Sequence, residues 1–315
     1  MNFKYLLLLL LPFAAASCVK EIAVVQERDD WDIVMNASLT AGKNTHFIYL
    51  SKAWSMRTAG LHDAVVKARL GDEVFEAEEI KGREDARSVS AVYALDMPLQ
   101  PGETVTLTAA SEGKTASATV TAPPPGNLSN LRSLRLIKNV WFTADLADPG
   151  EGEDFFQLSA DVHFLVKTES GYRGYTYPLD IDVRLDAVLS DGNPQPVGDD
   201  SFEVDLVGAL NDDGRVLFSD RQFQDGKASV RFSADVDDFR NDSGDPEAEI
   251  SAIVRLTTYS KEHYRYLKAV ATTDMLDTPE LLMFVEPVTI PCNVKGGLGF
   301  VGARSFCEAE VIVTP

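Results

Sequence analysis

The chain reads as an all-β protein: an N-terminal β-sandwich of the immunoglobulin or transthyretin type, followed by a larger β-sandwich domain with one short helix. Three observations predict this. Apolar residues recur at period two in short runs from about residue 21 to residue 122. Turn-forming residues separate those runs at the spacing of a sandwich of about seven strands. A proline run, Ala122-Pro123-Pro124-Pro125-Gly126, interrupts the pattern once before it resumes in longer strands.

Taken in order, the chain opens with Lys4, an apolar stretch from Tyr5 to Phe13, and the small residues Ala14-Ala15-Ala16-Ser17 ahead of Cys18. Residues 1–17 read as a signal peptide, since the apolar stretch falls short of the roughly 20 residues of a membrane span. Ala15-Ala16-Ser17-Cys18 resembles the bacterial lipobox, in which the thiol of Cys18 takes a diacylglycerol and the chain is cut before it. Two or three palmitate-class acyl chains there would anchor the protein to a membrane, at about 0.8 kcal/mol per buried methylene. Plain secretory cleavage is the competing reading.

The N-terminal domain, 18–122, contains the alternating runs Glu21 to Gln26, Ile33 to Thr40, Thr45 to Trp54, Ala64 to Leu70, Glu73 to Ile80, Ser88 to Asp96, Thr104 to Ala110 and Lys114 to Thr121. Residues 123–126 form the linker, and 127–315 the C-terminal domain. There, Leu179 to Leu189 and Ala228 to Val236 alternate apolar with polar residues and are expected to be strands with one wet face. The helix is expected at Lys261 to Met275, capped by Ser260, with Tyr264, Leu267 and Ala271 on one face.

Charge excludes one class of partner. With 49 acidic and 29 basic residues and a formal charge of −20, the chain offers nothing to release counterions from a nucleic acid. If Cys18 carries lipid, Cys292 and Cys307 remain as an even pair in an exported, oxidising setting. They are expected to form a disulfide, worth about 3 kcal/mol for a loop of roughly 15 residues; two free thiols are the alternative.

Between those cysteines lies "NVKGGLGFVGA", which contains Gly297-Leu298-Gly299-Phe300-Val301-Gly302, a literal G-x-G-x-x-G. A dinucleotide site needs a strand before the motif and a helix after it, and 13 residues of chain follow Gly302, too few for that unit. Asn293, Gly296, Gly297, Gly299 and Gly302 are instead expected to build a structural turn or bulge in which backbone passes close to backbone. The acidic loops Asn211 to Gly214 and Asp235 to Glu249 read as solvated, with calcium as the rival. His46, His62, His163 and His263 have no metal-ligand spacing, and no nucleophile motif is present, so no cofactor, metal or catalytic residue is assigned. Trp54 and Arg57 in one loop, and Tyr172, Tyr175 and Tyr177 in "GYRGYTYP", are candidate contacts for a glycan, a peptide or a partner protein, in competition with ordinary packing.

The order of these segments resembles a family of Bacteroidota lipoproteins classed as domain of unknown function 4249. The resemblance rests on the lipobox at Cys18, "IVMNASLTAGKNTHFIYLSKAW", "DAVVKARLGDEVFEAEE", "LQPGETVTLTAASEGKTASATVTAP", "DPGEGEDFFQL", "YSKEHYRYLKAV" and "EPVTIPCNVKGGLGFVGA". The last is the most specific, being similar to the family's asparagine-hydrophobic-x-Gly-Gly-x-Gly signature. Phe155-Phe156 stands where tyrosines are usual, and Pro291-Cys292 where a Tyr-Ser pair is common, so the cysteine pair is local to this chain or to a subgroup of the family. The resemblance implies a lipid-anchored outer-membrane protein, facing the cell surface, that works without catalysis as an accessory or binding component of a TonB-dependent receptor in nutrient uptake. A fimbrillin-like adhesive pilus subunit and a glycan-binding lipoprotein are the alternatives.

Overall fold

The computed structural model describes residues 31–54, 57–81, 90–150, 152–168, 171–190, 215–240, 248–275 and 290–314. Cys18, the run Glu21 to Gln26, the loop Asn211 to Gly214 and the Arg57 side chain lie outside the described residues.

The fold is all-β. The first unit is built from β1 (Asp32–Thr40), β2 (Thr45–Trp54), β3 (Arg57–Gly60), β4 (Val65–Leu70), β5 (Glu73–Glu79), β6 (Ala91–Asp96), β7 (Thr104–Ser111) and β8 (Lys114–Thr121). Period-two patterning sets their inner faces: in β2, for example, His46, Ile48 and Leu50 are buried while Phe47 and Tyr49 are only partly so. Gly42 and Gly113 turn the β1–β2 and β7–β8 hairpins at φ of +80°.

The second unit comprises β9 (Asn127–Arg135), β10 (Asn139–Ala147), β11 (Phe155–Thr168), β12 (Gly171–Pro178), β13 (Arg215–Ser219), β14 (Lys227–Asp235), β15 (Glu249–Tyr259), the helix α1 (Lys261–Met275) and β16 (Val301–Ile312). A three-stranded sheet in the order β14-β10-β9 packs on the sheet containing β11, β15 and β16. Their shared core holds Val140, Phe142, Leu158, Val162, Phe232 and Val254, with Phe142 stacked on Phe232 at 5.2 Å.

The larger sheet runs β12-β11-β15-β16-β1-β2-β6-β5-β4-β7-β8, so it passes through both units. The strand that carries it across is β16. Its first residues pair in parallel with β1 (Ala37 with Val301 to Thr40 with Arg304), and from Arg304 onward it pairs antiparallel with β15 (Tyr259 with Arg304 to Ser251 with Ile312). Just upstream, Met35 N–H donates to Leu298 O at 2.9 Å, while Ser117 and Lys295 exchange both backbone bonds at 2.9 and 2.7 Å. Residues 295–300 therefore fill the gap between β8 and β1 and close the first unit into a hydrogen-bonded ring. A boundary at the proline run does not provide for this, because the first unit takes a strand from the far end of the chain.

Two local expectations are corrected. Leu179 to Leu189 buries Leu179, Ile181, Val183 and Leu189 on the expected face, yet it is not a strand: after Leu179 N–H donates to Ala160 O at 2.9 Å, its one bridge among the described residues is Asp182–Ser233. Its aspartates divert the backbone, with Asp182 accepting from Arg184 N–H at 3.0 Å and Asp186 from the N–H groups of Val188 and Leu189 at 2.9 and 3.0 Å. The helix spans the expected residues, but the Ser260 hydroxyl accepts from Ala303 N–H at 3.4 Å on β16 rather than capping α1.

Candidate functional site

The glycine-rich segment has a structural cause. Gly299 lies at φ +104°, and a Cβ there would collide with Met35 O and come within 2.9 Å of Asn36 Oδ1; a Cβ on Gly297 would collide with Ile33 O. Asn293 acts as a side-chain strand partner, donating to Val301 O at 2.7 Å and accepting from Val301 N–H at 2.9 Å. Phe300 stacks on Tyr266 of α1 at 4.3 Å and lies 5.3 Å from the His263 ring. Asn293→Ala is expected to lower stability by about 1–3 kcal/mol, the range for losing paired hydrogen bonds at a partly buried site, read as a lower urea midpoint with an unchanged slope.

The expected disulfide is not formed: Cys292 and Cys307 are both free. Asn293, next to Cys292, lies beside Val301 through its side-chain bonds, whereas Cys307 lies further along β16, beside Leu256. The six residue steps of strand from Val301 to Cys307 span roughly 20 Å, whereas a disulfide needs Cα atoms within about 7 Å. Cys307 packs against the second core, and burial pushes its thiol pKa up.

The aromatic candidates do not converge. Trp54 is half-buried at the end of β2, opposite Arg57 across the hairpin, and four strands separate β2 from β12 in the sheet. On β12, at the edge of the large sheet, Tyr172, Tyr175 and Tyr177 are 70%, 40% and 54% exposed. Arg173 lies over the Tyr175 ring at 5.9 Å, and Tyr177 meets Phe164 edge-on at 6.3 Å.

Sequence reasoning missed a second surface, the outer face of the β14-β10-β9 sheet. Its distal end is apolar: the β9–β10 hairpin presents Leu134, Leu136 and Ile137 at 61%, 50% and 95% exposure, with Trp141 behind them. Arg231 covers the Trp141 ring at 5.1 Å. Nearer the middle, a bulge between Thr143 and Asp145 places Asn130 at φ +52° and leaves both Ser129 and Asn130 exposed, although an unbroken strand would send them to opposite faces. Asn130 Nδ2 donates to Asp145 Oδ2 at 2.7 Å and Ser229 Oγ donates to Asp145 Oδ1 at 2.6 Å; these bonds, Ser229's foremost, hold the carboxyl pKa below its usual value. The sequence signal was the stretch from Leu128 to Ala144, which carries Arg132, Arg135 and Lys138 and no acid within a chain of charge −20.

The β9–β10 hairpin tip can be placed relative to Trp31 from strand direction. β1 runs alongside the start of β16, and Ser133 Oγ donates to Ile312 O near the end of β16. About 17 residues of strand separate Trp31 from that level, so the hairpin tip stands on the order of 50 Å from the point where the described chain begins.

The model of the family described as "Domain of unknown function (DUF4249)" matches residues 20–308. The chain belongs to the DUF4249 family. No curated protein matches this DUF4249 chain. Among solved structures it is similar to the manganese lipoxygenase of Gaeumannomyces graminis with partial zonadhesin of Komagataella pastoris, at 13% identity over 73% of this chain and 89% of that one, with a TM-score of 0.20. It is also similar to the Yersinia pseudotuberculosis adhesin InvE, at 12% identity over 72% of this chain and 56% of that one, with a TM-score of 0.20. Likenesses this low carry no argument about what the DUF4249 chain does. No helix among its described residues is long and apolar enough to cross a membrane.

Proposed function

We propose that this protein is a non-enzymatic lipoprotein, anchored in the outer membrane through Cys18 and facing the cell surface, that docks on a TonB-dependent receptor as an accessory component of nutrient uptake. The observation that carries the docking role is the hairpin tip. Leu134, Leu136 and Ile137 are exposed side by side at one pole, and Ile137 is 95% exposed. Apolar side chains grouped this way stabilise a complex by leaving water. The pilus-subunit reading is weaker, because the gap between β8 and β1 is filled by residues 295–300 of the same chain, so a donated strand has no place there.

Gentle detergent extraction of outer membranes, affinity capture of the protein and mass spectrometry of what co-purifies test the proposal. A TonB-dependent receptor is expected with the native chain and at least ten-fold less with Ile137→Asp, which changes an exposed side chain and leaves the fold intact. Recovery of no receptor, or of a ladder of self-polymers, would contradict it.

A further inference from the structure

We infer that the outer face of the β14-β10-β9 sheet is an oligosaccharide-binding site, centred on Asp145, Asn130 and Ser229 with Trp141 as its stacking platform. This deepens the binding role proposed above and rests on it, by naming the class of ligand.

Two adjoining depressions of about 810 and 630 Å³ share Asn130, Asp145 and Ser229. The first continues to Gln222, Gln224 and Lys227, and the second to Arg132, Thr143 and Arg231. Both lie in the size range of small-molecule sites. The polar side chains that line them are amides, hydroxyls, the Arg132 and Arg231 guanidinium groups, the Lys227 ammonium and the carboxylates of Asp145 and Asp186, a mixed set of donors and acceptors.

That mixture discriminates between ligand classes. A peptide is read through apolar pockets for alternate side chains, whereas the exposed lining of these depressions is polar apart from Leu185, with Ala147, Val188 and Ala228 only partly exposed. A compact anion seated at the centre would lie against the fixed carboxylate of Asp145, with Arg132, Lys227 and Arg231 further along the lining. A hard cation needs several carboxylates, whereas among the described residues no group of three or more His, Cys, Asp or Glu is placed to hold one. Sugar hydroxyls each donate and accept, and neighbouring hydroxyls are matched by planar bidentate groups such as Asp145, Asn130 and the two arginines.

The row is held ready before any ligand arrives. Asp145 is fixed from both sides by Asn130 and Ser229, and the bulge turns Asn130 onto the outer face. Trp141 is four residues from Asp145 on the same face of β10, about 14 Å away. A glycan touching both spans more than one sugar, with Asp145 reading the hydroxyls of one unit and Trp141, together with the Arg231 guanidinium over its ring, packing against another.

Native gel electrophoresis of the full chain through gels containing a soluble glucan, mannan, xylan or polygalacturonate tests the site. At least one polysaccharide is expected to retard the protein. Asp145→Asn, Asp145→Ala and Trp141→Ala, each checked for native fold by near-ultraviolet circular dichroism, are expected to weaken that retardation ten-fold or more. The combined Tyr172→Ala, Tyr175→Ala and Tyr177→Ala variant should leave it unchanged. No retardation in any gel, retardation indifferent to the Asp145 and Trp141 variants, or retardation lost instead in the tyrosine variant would overturn the inference. The gel contains no receptor, and Ile137→Asp is expected to bind polysaccharide normally, so failure of docking and failure of glycan binding are separate results.

Discussion

Replacing Gly299 by valine is expected to abolish cooperative folding of the first unit or to cost more than about 4 kcal/mol, the range reserved for a change that combines backbone strain with a core clash. Valine is forced to φ +104°, where a β-branched residue is strained by about 1–3 kcal/mol. Its Cβ would also collide with Met35 O, the acceptor of Phe300 N–H, and crowd Asn36 Oδ1, which accepts from the same N–H at 2.9 Å. Two contacts that close the ring would therefore be lost together. Gly42 is the control: it has φ +80° but no atom within 4 Å of a built Cβ, so Gly42→Ala carries strain alone, about 1–2 kcal/mol. Urea unfolding of the two variants checks the difference; equal effects would remove the close-approach explanation.

Acid is expected to weaken the fold by up to about 3 kcal/mol between pH 6.5 and pH 4 through His263 alone. Its ring is 5% exposed, packed edge-on to Tyr259 at 4.6 Å and against Phe300. Burial lowers its pKa from 6.5 to about 4, partly opposed by a hydrogen bond with Ala303 O, while the Arg304 charge adds to the fall. Below pH 6.5 the unfolded chain binds a proton that the folded chain refuses until about pH 4, so stability is lost as pH falls through that window. His46, also buried and lowered chiefly by desolvation, acts in the same direction. Asp154 opposes them: burial, then Asp220 and Asp148, raise its pKa to about 6, so its contribution is lost as pH rises from about 4 to 6. Solvent screening at this partly exposed carboxyl keeps its share small, and Asp154→Asn is expected to raise stability at pH 7 by at most about 1 kcal/mol. Urea midpoints from pH 4 to 7.5 should fall toward acid in the native chain and flatten in His263→Gln. An unchanged acid slope in that variant would assign the effect to other groups.

The strands of the first unit and β14 were legible because their apolar residues alternate toward a core face. The runs from Ile33 to Thr121 and the helix from Lys261 to Met275 appear almost residue for residue. Leu179 to Leu189 was not legible as turns, because its apolar spacing is that of a strand; what changes it is side-chain capture of the backbone by Asp182 and Asp186, which depends on contacts with β14. The cysteines misled for a related reason. Their spacing suits a loop closed by a disulfide, but the glycines between them serve close approach to β1 and β8, and Cys307 is carried away along β16; nothing local separates those two uses of glycine. The outer sheet face was hidden because Asn130, Asp145 and Ser229 come from three strands whose register only the fold supplies.

The central claim is that residues 295–300 complete the first unit and, through β16, tie it to the second. Hydrogen exchange of the full chain tests this most directly. The amides of Leu298 and Phe300, which donate to Ile33 O and Met35 O at 2.8 and 3.0 Å, are expected to be protected to the same level as those of Met35 and Ala37 on β1. Rapid exchange of Leu298 and Phe300 beside a still-protected β1 would contradict it.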